Sequence, residues 1–523
     1  MSKLLIKKPL EQLLREAHSD NPGGLVRTLG PYNLISLGIG AVIGAGIFVI
    51  TGSAAAQYAG PAITLSFLLA GLGCAFAGLC YAEFAAMIPI SGSAYTYGYA
   101  TLGEIFAWII GWDLVLEYAF SAATVASGWS GTIVSLLQDF GVRLPPQLIE
   151  TPGAELVLFQ GRWELLSTVL PQISAAGINA ASLPHATGLF NVPAFLSVAI
   201  VTVILVLGVK ESARFNTIAV FIKVLTVLIF IVIASAYLWR HPNVLTTNWQ
   251  TFIPENKGAF GQFGWSGVAR GASVIFFAYI GFDAVSTAAQ EARNPQRDMP
   301  IGLLGSLLIC TILFIAVACV LTGTVHYSQL NVAAPVAMAI DVTGAKWGSL
   351  LVKCGTLAGL STVMLVTLMG QSRIFYAMSQ DGLLPGWASK IHPRFRTPWI
   401  SSIVIGIFVA IFSGLFPISL LGQLVSIGTL LAFVIVCIGV WALRLKRPDI
   451  PRPFKTPWFP FVPAMGILMS LLLMVSLPLD TWLRLFVWLL IGFLIYFNYG
   501  LRHSRLQNGT SNADHLSNSG TNV

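Results

Sequence analysis

Lys223 in AVFIKVLTV, and Asp113 and Glu117 in GWDLVLEY, stand inside apolar stretches long enough to cross a bilayer. A charge at mid-bilayer costs about 2.5–3.5 kcal/mol on insertion scales, so each needs a partner or a function. Lys223 lies ten residues past Ala213, near the middle of its stretch. Asp113 and Glu117 are four residues apart, a spacing that puts both on one helix face. The chemistry open to Lys223 or Glu117 is proton uptake and release as a gate opens and closes. The alternative is a fixed ion pair that braces two helices.

Two glycine-broken strings, GIGAVIGAGIF (Gly38 to Phe48) and FFAYIGFD (Phe276 to Asp283), interrupt other apolar stretches. Irregular backbone at membrane depth survives only where it is buried in protein or lines a cavity. Paired interruptions in two halves of a chain point to a transporter's substrate site. The glycines of the first string let the chain leave helical geometry. The half-helix that follows would offer free amide groups to a carboxylate. The second string, around Ala278 to Gly281, would offer carbonyl oxygens to an ammonium group. An anion cradle beside a cation cradle suits a free amino acid. Close helix packing through small residues is the competing explanation for each glycine string.

These residues need a membrane-spanning scaffold, and composition supplies one. Of 523 residues, 56% are hydrophobic and 10% charged, with a mean hydropathy of +0.79. Soluble domains carry about 25% charged residues. Spans of about 20 residues or more are expected near 31–56, 61–86, 98–137, 191–209, 214–239, 264–288, 300–323, 347–378, 398–415, 418–443, 459–477 and 482–501. The net charge of +8 does not indicate a nucleic-acid partner. Most Lys and Arg residues, Lys7, Lys8, Lys210, Arg394, Arg444 and Arg447 among them, fall on the side shared by both termini. The opposite loops hold only Arg143, Arg162, Arg240, Lys257, Lys346 and Arg484. That bias predicts a multi-pass protein of the plasma membrane (the inner membrane of a bacterium) with both termini cytoplasmic.

Residues 1–30 read as a cytosolic tail, with KKPLEQLLREAH as a surface amphipathic helix. Residues 31–241 form a first five-span set, 242–445 a second, and 446–503 two further spans, with a disordered tail over 504–523. Five is odd, so the second set enters the membrane from the opposite face as an inverted repeat. A long external loop covers 139–190. Arg270 would either draw acidic groups in an outer vestibule or snorkel to the interface, and Lys353 is read as snorkelling. Glu83 and the segment Met87 to Tyr99 are expected to fold as a re-entrant or interfacial segment on the cytosolic side, and Glu291, Arg293, Arg297 and Asp298 to form an inner gate. All six cysteines lie in apolar spans without metal-type spacing, so no disulfide framework or zinc site is expected. No G-x-x-x-x-G-K-[ST], H-E-x-x-H or G-x-S-x-G string occurs, which argues against ATP-driven transport and membrane-embedded hydrolysis by this chain.

GIGAVIGAGIF, GWDLVLEY followed by GWSG, KESARFN with Lys223 behind it, FFAYIGFDAVSTAAQEARNPQRDMP, GQSRIFYAMSQDGLLP and RPDIPRPFKTPW occur in that order. The chain thereby resembles the amino acid–polyamine–organocation superfamily, and most closely bacterial relatives of the cationic amino acid transporters. The resemblance implies an all-α membrane protein with the leucine-transporter-like fold, five plus five inverted helices and two added ones, twelve in all. It implies a substrate carboxylate at the backbone of Ile43, Gly44, Ala45 and Gly46. The ammonium would meet carbonyls among Phe277, Ala278, Tyr279 and Ile280, with Phe282 packed over the substrate and Thr362 of LSTVM lining the pocket. Lys223 would occupy the place of a sodium ion in related carriers, making the proton the coupling ion, with no other cofactor and Glu117 near the site. Ala45 replaces a hydroxyl residue of several relatives. With no carboxylate placed in the pocket, small or medium neutral amino acids are expected over cationic ones. An exchanger of the same fold, or a nutrient sensor that keeps the pocket without turnover, remains open.

Overall fold

The computed structural model describes residues 2–9, 29–88, 93–159, 161–207, 213–332, 334–395 and 397–508. Of the expected surface helix over 7–18, residues 7–9 are described and not helical and the rest lie outside the described residues, as does most of the expected tail over 504–523. The chain is mostly helical. The main helices are α1 (Pro31–Val42), α2 (Ile63–Met87), α3 (Glu104–Asp139), α4 (Val192–Leu207), α5 (Ala213–Arg240), α6 (Gly264–Ile275), α7 (Pro295–Thr324), α8 (Lys346–Gln380), α9 (Trp399–Leu415), α10 (Ile418–Lys446), α11 (Phe461–Ser476) and α12 (Leu479–Ile495). Among the described residues, eight helical stretches are long and apolar enough to cross a membrane. Four shorter apolar helices, α1, α4, α9 and α11, accompany them. Each overlaps an expected span, and Gly46–Met87 runs through two of them, 31–56 and 61–86.

Helix α3 lies between α8 and α10, and α7 packs on both α1 and α2. The exposed faces of several helices are apolar, as in Leu225, Leu228 and Val232 of α5 or Leu483, Phe486 and Leu490 of α12. Water would penalise such faces, whereas lipid chains would not. The two ends of the chain meet on one face of the molecule. Glu104 opens α3 there; its N–H donates to Ile6 O at 3.0 Å, and its carboxylate accepts from Tyr99, Tyr496, Ser504 and Gln507. On the same face Lys8 pairs with Asp381 at 3.2 Å.

The expectation of an all-α chain needs one amendment. Between α3 and α4 lie three strands, β1 (Glu155–Phe159), β2 (Arg162–Leu165) and β3 (His185–Thr187), in one antiparallel sheet of order β2-β1-β3. The apolar run ELVLF lays Val157 and Phe159 on Val169 and Ile173, and Leu156 on Val134 of α3 and Ile149. Gly161, at φ +80, turns the β1–β2 hairpin, a conformation that glycine adopts without steric cost. The long loop is thus a small folded cap.

One charged position also differs from expectation. Lys353 does not snorkel; it is buried and pairs with Asp139, whose other oxygen takes Arg162 at 2.8 Å. Asp139 ends α3 beside α8, which puts a carboxylate partner within reach. Glu83 is buried in the last turns of α2, clasped by Arg444 and Arg452 at 2.5 and 3.3 Å and by Thr456 N–H at 2.8 Å. Residues 89–92 lie outside the described residues, and Ser93–Thr101 is a short helix. Of the inner-gate charges, Glu291 meets Arg373 at 3.9 Å, and Asp298 accepts from Asn294 N–H at 3.2 Å. Arg270, half-buried, lies over the Phe260 ring at 5.6 Å.

Candidate functional site

The first break is short. Helix α1 ends at Val42, and Ile43 turns away at φ −74, ψ 99, although its N–H still reaches Ile39 O at 2.9 Å. The chain re-enters helix at Gly46 as a π-turn, Gly46–Ile50, whose cap residue Ala45 offers no side-chain hydrogen bond. Helix starts leave several amides without intrahelical partners. Here no side chain caps them, and the partial positive charge of a helix start lies in the protein interior. Gly40 O, near the end of α1, accepts the Lys223 ammonium at 2.7 Å. Lys223 is fully buried on α5. Gly359 of α8 stands over its methylenes: a Cβ there would lie 3.4 Å from Lys223 Cγ. A cation at a helix C-terminus offsets the negative pole of the backbone dipoles. Sequence order separates Lys223 from the break by 183 positions; the fold joins them.

The second break is longer. After α6 the chain runs as a 3₁₀ turn, Phe276–Tyr279, then Ile280 is extended at φ −60, ψ 135. Gly281 follows at φ +107, and a second 3₁₀ run covers Asp283–Glu291. Only glycine holds such a φ without strain. The two breaks touch. A Cβ on Gly46 would stand 2.3 Å from Ala278 Cα, and one on Gly281 would stand 3.0 Å from Ala41 O. Ile43, Ala45, Phe277, Ala278, Ile280 and Phe282 are all buried. Val363 of α8 covers Gly44, 3.1 Å from where a Cβ would be. The neighbouring Thr362 hydroxyl donates to Gly359 O of its own helix at 2.8 Å. Tyr279 turns toward α2 and donates to Phe67 O at 2.8 Å. The Phe282 ring sits between Tyr81 and Phe433, 6.0 and 5.4 Å away.

Sequence reasoning missed one member of the site. Asp283, two residues past Gly281, is buried, and neither of its carboxylate oxygens has a hydrogen-bond partner among the described residues. It lies near Glu117, Tyr81 and Tyr118, which are buried as well, so α2, α3 and the second break share one buried polar cluster. Glu117 lies beside the Thr429 hydroxyl of α10. Both oxygens of Asp113, Oε1 of Glu117 and the hydroxyls of Tyr81 and Tyr118 have no hydrogen-bond partner among the described residues. Gly428 of α10 backs Asp113, 2.8 Å from a would-be Cβ to Oδ1. The signal available in the sequence was a carboxylate ending FFAYIGFD. Buried polar atoms without partners are uncommon and mark sites that bind or move something.

Beyond the first break, on the side of the cap, lies a cavity of about 760 Å³. Val49, Ile50, Gly128 and Gly422 line it. Gly128 is set against Val49 and Ala45, 3.3 and 3.6 Å from where its Cβ would be. The cavity therefore reaches the turn that begins at Gly46 through Val49 and Ile50.

A family model for amino acid permeases matches residues 29–496. The chain belongs to the amino acid permease family. This permease is 44% identical to the branched-chain amino acid permease of Bacillus subtilis over 501 residues, 96% of this chain and 98% of that one. It is 43% identical to the methylthioribose transporter of the same organism over 506 residues, 97% of this chain and 100% of that protein. A vacuolar cationic amino acid transporter of Arabidopsis thaliana is 35% identical over 431 residues, 82% of this chain and 65% of the plant protein. These relatives are permeases and transporters rather than enzymes. The family and the apolar helices together make this a multi-pass membrane protein.

Proposed function

We propose that this permease carries neutral amino acids into the cell by proton-coupled alternating access. Its scaffold would be a leucine-transporter-like pair of five-helix inverted repeats with two added helices, in the plasma membrane with both termini cytoplasmic. The observation that carries the reading is the junction of two helix breaks with a buried ammonium on the first. The amides at Gly44, Ala45 and Gly46 would take the substrate carboxylate, and the carbonyls of Phe277, Ala278 and Ile280 its ammonium. The apolar surroundings of the breaks, Ile43, Val49, Val363 and Ile280, favour an aliphatic side chain, in keeping with the branched-chain relative. Lys223 would hold Gly40 O while charged and release it when it gives up a proton. That exchange would couple the break to the proton gradient. Glu117, with Asp113 and Asp283, is the second candidate for proton transfer.

The near-equal likeness to a methylthioribose transporter favours a second reading, a thio-sugar substrate. Such a molecule lacks the paired charges that the breaks are suited to hold. Uptake of labelled leucine into proteoliposomes under an inward proton gradient tests the first reading, with unlabelled methylthioribose and the twenty amino acids as competitors. Uptake abolished by Lys223→Ala and displaced by branched-chain amino acids supports it. Displacement by methylthioribose alone overturns it in favour of the second. Flux that needs amino acid on both sides and ignores the proton gradient would mean an exchanger.

A further inference from the structure

The cavity above the first break is roofed by the cap, through Glu150–Glu155 and Leu165–Thr168. A smaller chamber of about 370 Å³ adjoins it between the cap, α3 and α8. Glu150, Gly131, Leu165, Thr168 and Val332 line both, so the two are adjacent. The larger cavity carries the carboxylates Glu150 and Glu155 and, among its described lining residues, no Lys, Arg or His. Uncharged amides, Gln57, Asn331 and Gln423, line it as well. A cleft lined by one sign of charge between low-dielectric walls concentrates solutes of the opposite sign. Glu150 lines both chambers, and its Oε2 accepts from the N–H of its own neighbour Thr151 at 3.4 Å. That distance is long for a carboxylate bond, and it leaves the group capacity for another donor. In contrast, the nearby cations are engaged: Lys353 and Arg162 both pair with Asp139.

We infer that this capped vestibule is a second binding site, in which Glu150 holds the α-ammonium group of a free amino acid before it passes to the breaks. The inference rests on the transport reading above and extends it to the outer approach. The cap then has a purpose, since it supplies the carboxylate and closes the space around it. Burial, reinforced by Glu164, pushes the Glu150 carboxyl up to about 7. The charged groups on the elements around it are Glu164 and Arg162 of β2, Glu155 of β1, Lys353 of α8 and Asp341 of the helix Pro335–Val342. Glu150 is charged above about pH 7 and neutral below it, so capture weakens as the outside turns acidic.

The test is uptake by the full chain in proteoliposomes with the proton gradient held fixed, comparing the unaltered protein with Glu150→Gln. At about pH 8 the variant should show a KM raised about tenfold with Vmax unchanged, the scale of losing one charge-assisted hydrogen bond. At about pH 5.5, below the Glu150 titration, the two proteins should have the same KM. Equilibrium dialysis of labelled leucine at the higher pH should find an extra molecule per chain in the unaltered protein that the variant lacks. Glu164→Gln serves as the second variant. It keeps Glu150, leaves the KM at high pH unaltered and moves the rise in KM to lower pH. Equal KM values for the unaltered and Glu150→Gln proteins at about pH 8, with leucine still carried, overturn the vestibule and leave the central site standing. Absence of any saturable amino acid uptake by the unaltered protein overturns both.

Discussion

The two breaks solve the same problem differently. The first interrupts its helix between Val42 and Ala45 and resumes as a wide π-turn. The second abandons α-helical geometry from Phe276 to Glu291. The first is held by a charge brought from elsewhere, the Lys223 ammonium on Gly40 O. The second is held by its neighbours: Tyr279 on Phe67 O, Phe282 between two rings, and Gly281 against Ala41. A short break exposes a helix start and needs one cation to settle the carbonyls left behind. A long one exposes more backbone and leans on packing. The first can therefore be altered by moving a proton, whereas the second changes only if side chains repack.

Lys223→Ala should have the largest effect, because it strips the first break of its one charge and leaves Gly40 O buried without a partner. Hydrogen bonds to charged groups are worth about 1.5–3 kcal/mol, so gradient-driven uptake should fall at least about tenfold while the protein still elutes as one folded species. Uptake that keeps its proton dependence in this variant would remove the asymmetry. Gly46→Ala comes next. Its methyl group would lie 2.3 Å from Ala278 Cα, and overpacking of this kind costs about 1–3 kcal/mol. Thermal unfolding in detergent should drop and substrate binding should weaken, since the breaks must part. Unchanged binding would show that their contact is dispensable.

Glu117→Gln and Asp283→Asn sharpen the comparison at the second break. Either change removes an ionisable carboxyl from the shared cluster and keeps the side-chain shape. If the cluster moves protons, the pH profile of uptake should flatten while the KM for substrate shifts less than about threefold, under the roughly tenfold of 1.4 kcal/mol. A shift in KM alone, with the pH profile intact, would make the cluster a substrate contact instead. Tyr279→Phe should have the smallest effect. It loses one neutral hydrogen bond to Phe67 O, worth about 1 kcal/mol. Melting should fall by a few degrees, and transport should hardly change. A large loss of transport would mean that the second break is as finely balanced as the first.

The spans, both breaks and Lys223 were legible from residue order, because the absence of water in a bilayer makes every buried charge and every helix-breaking glycine stand out. Asp283 was not legible as a site member. It follows a glycine-broken string and looks like an ordinary carboxylate leaving a span. Only its packing against α2 and α3 shows it buried with Glu117. Lys353 departs from expectation for a related reason: the snorkelling rule covers long side chains with no carboxylate partner within reach, and Asp139 is within reach. The cap was hidden as well, since its strands are three to five residues long and their partners are set by tertiary contacts.

By itself the sequence determined a membrane-embedded helical chain with paired weak points, since hydropathy and glycine placement act locally and need no partner. Tertiary structure decided which groups meet. It set Lys223 on Gly40, Gly46 on Ala278, Asp283 with Glu117, and a folded cap over the approach to the first break. Those pairings join residues far apart along the chain, and their energies depend on distance and desolvation, which residue order does not contain.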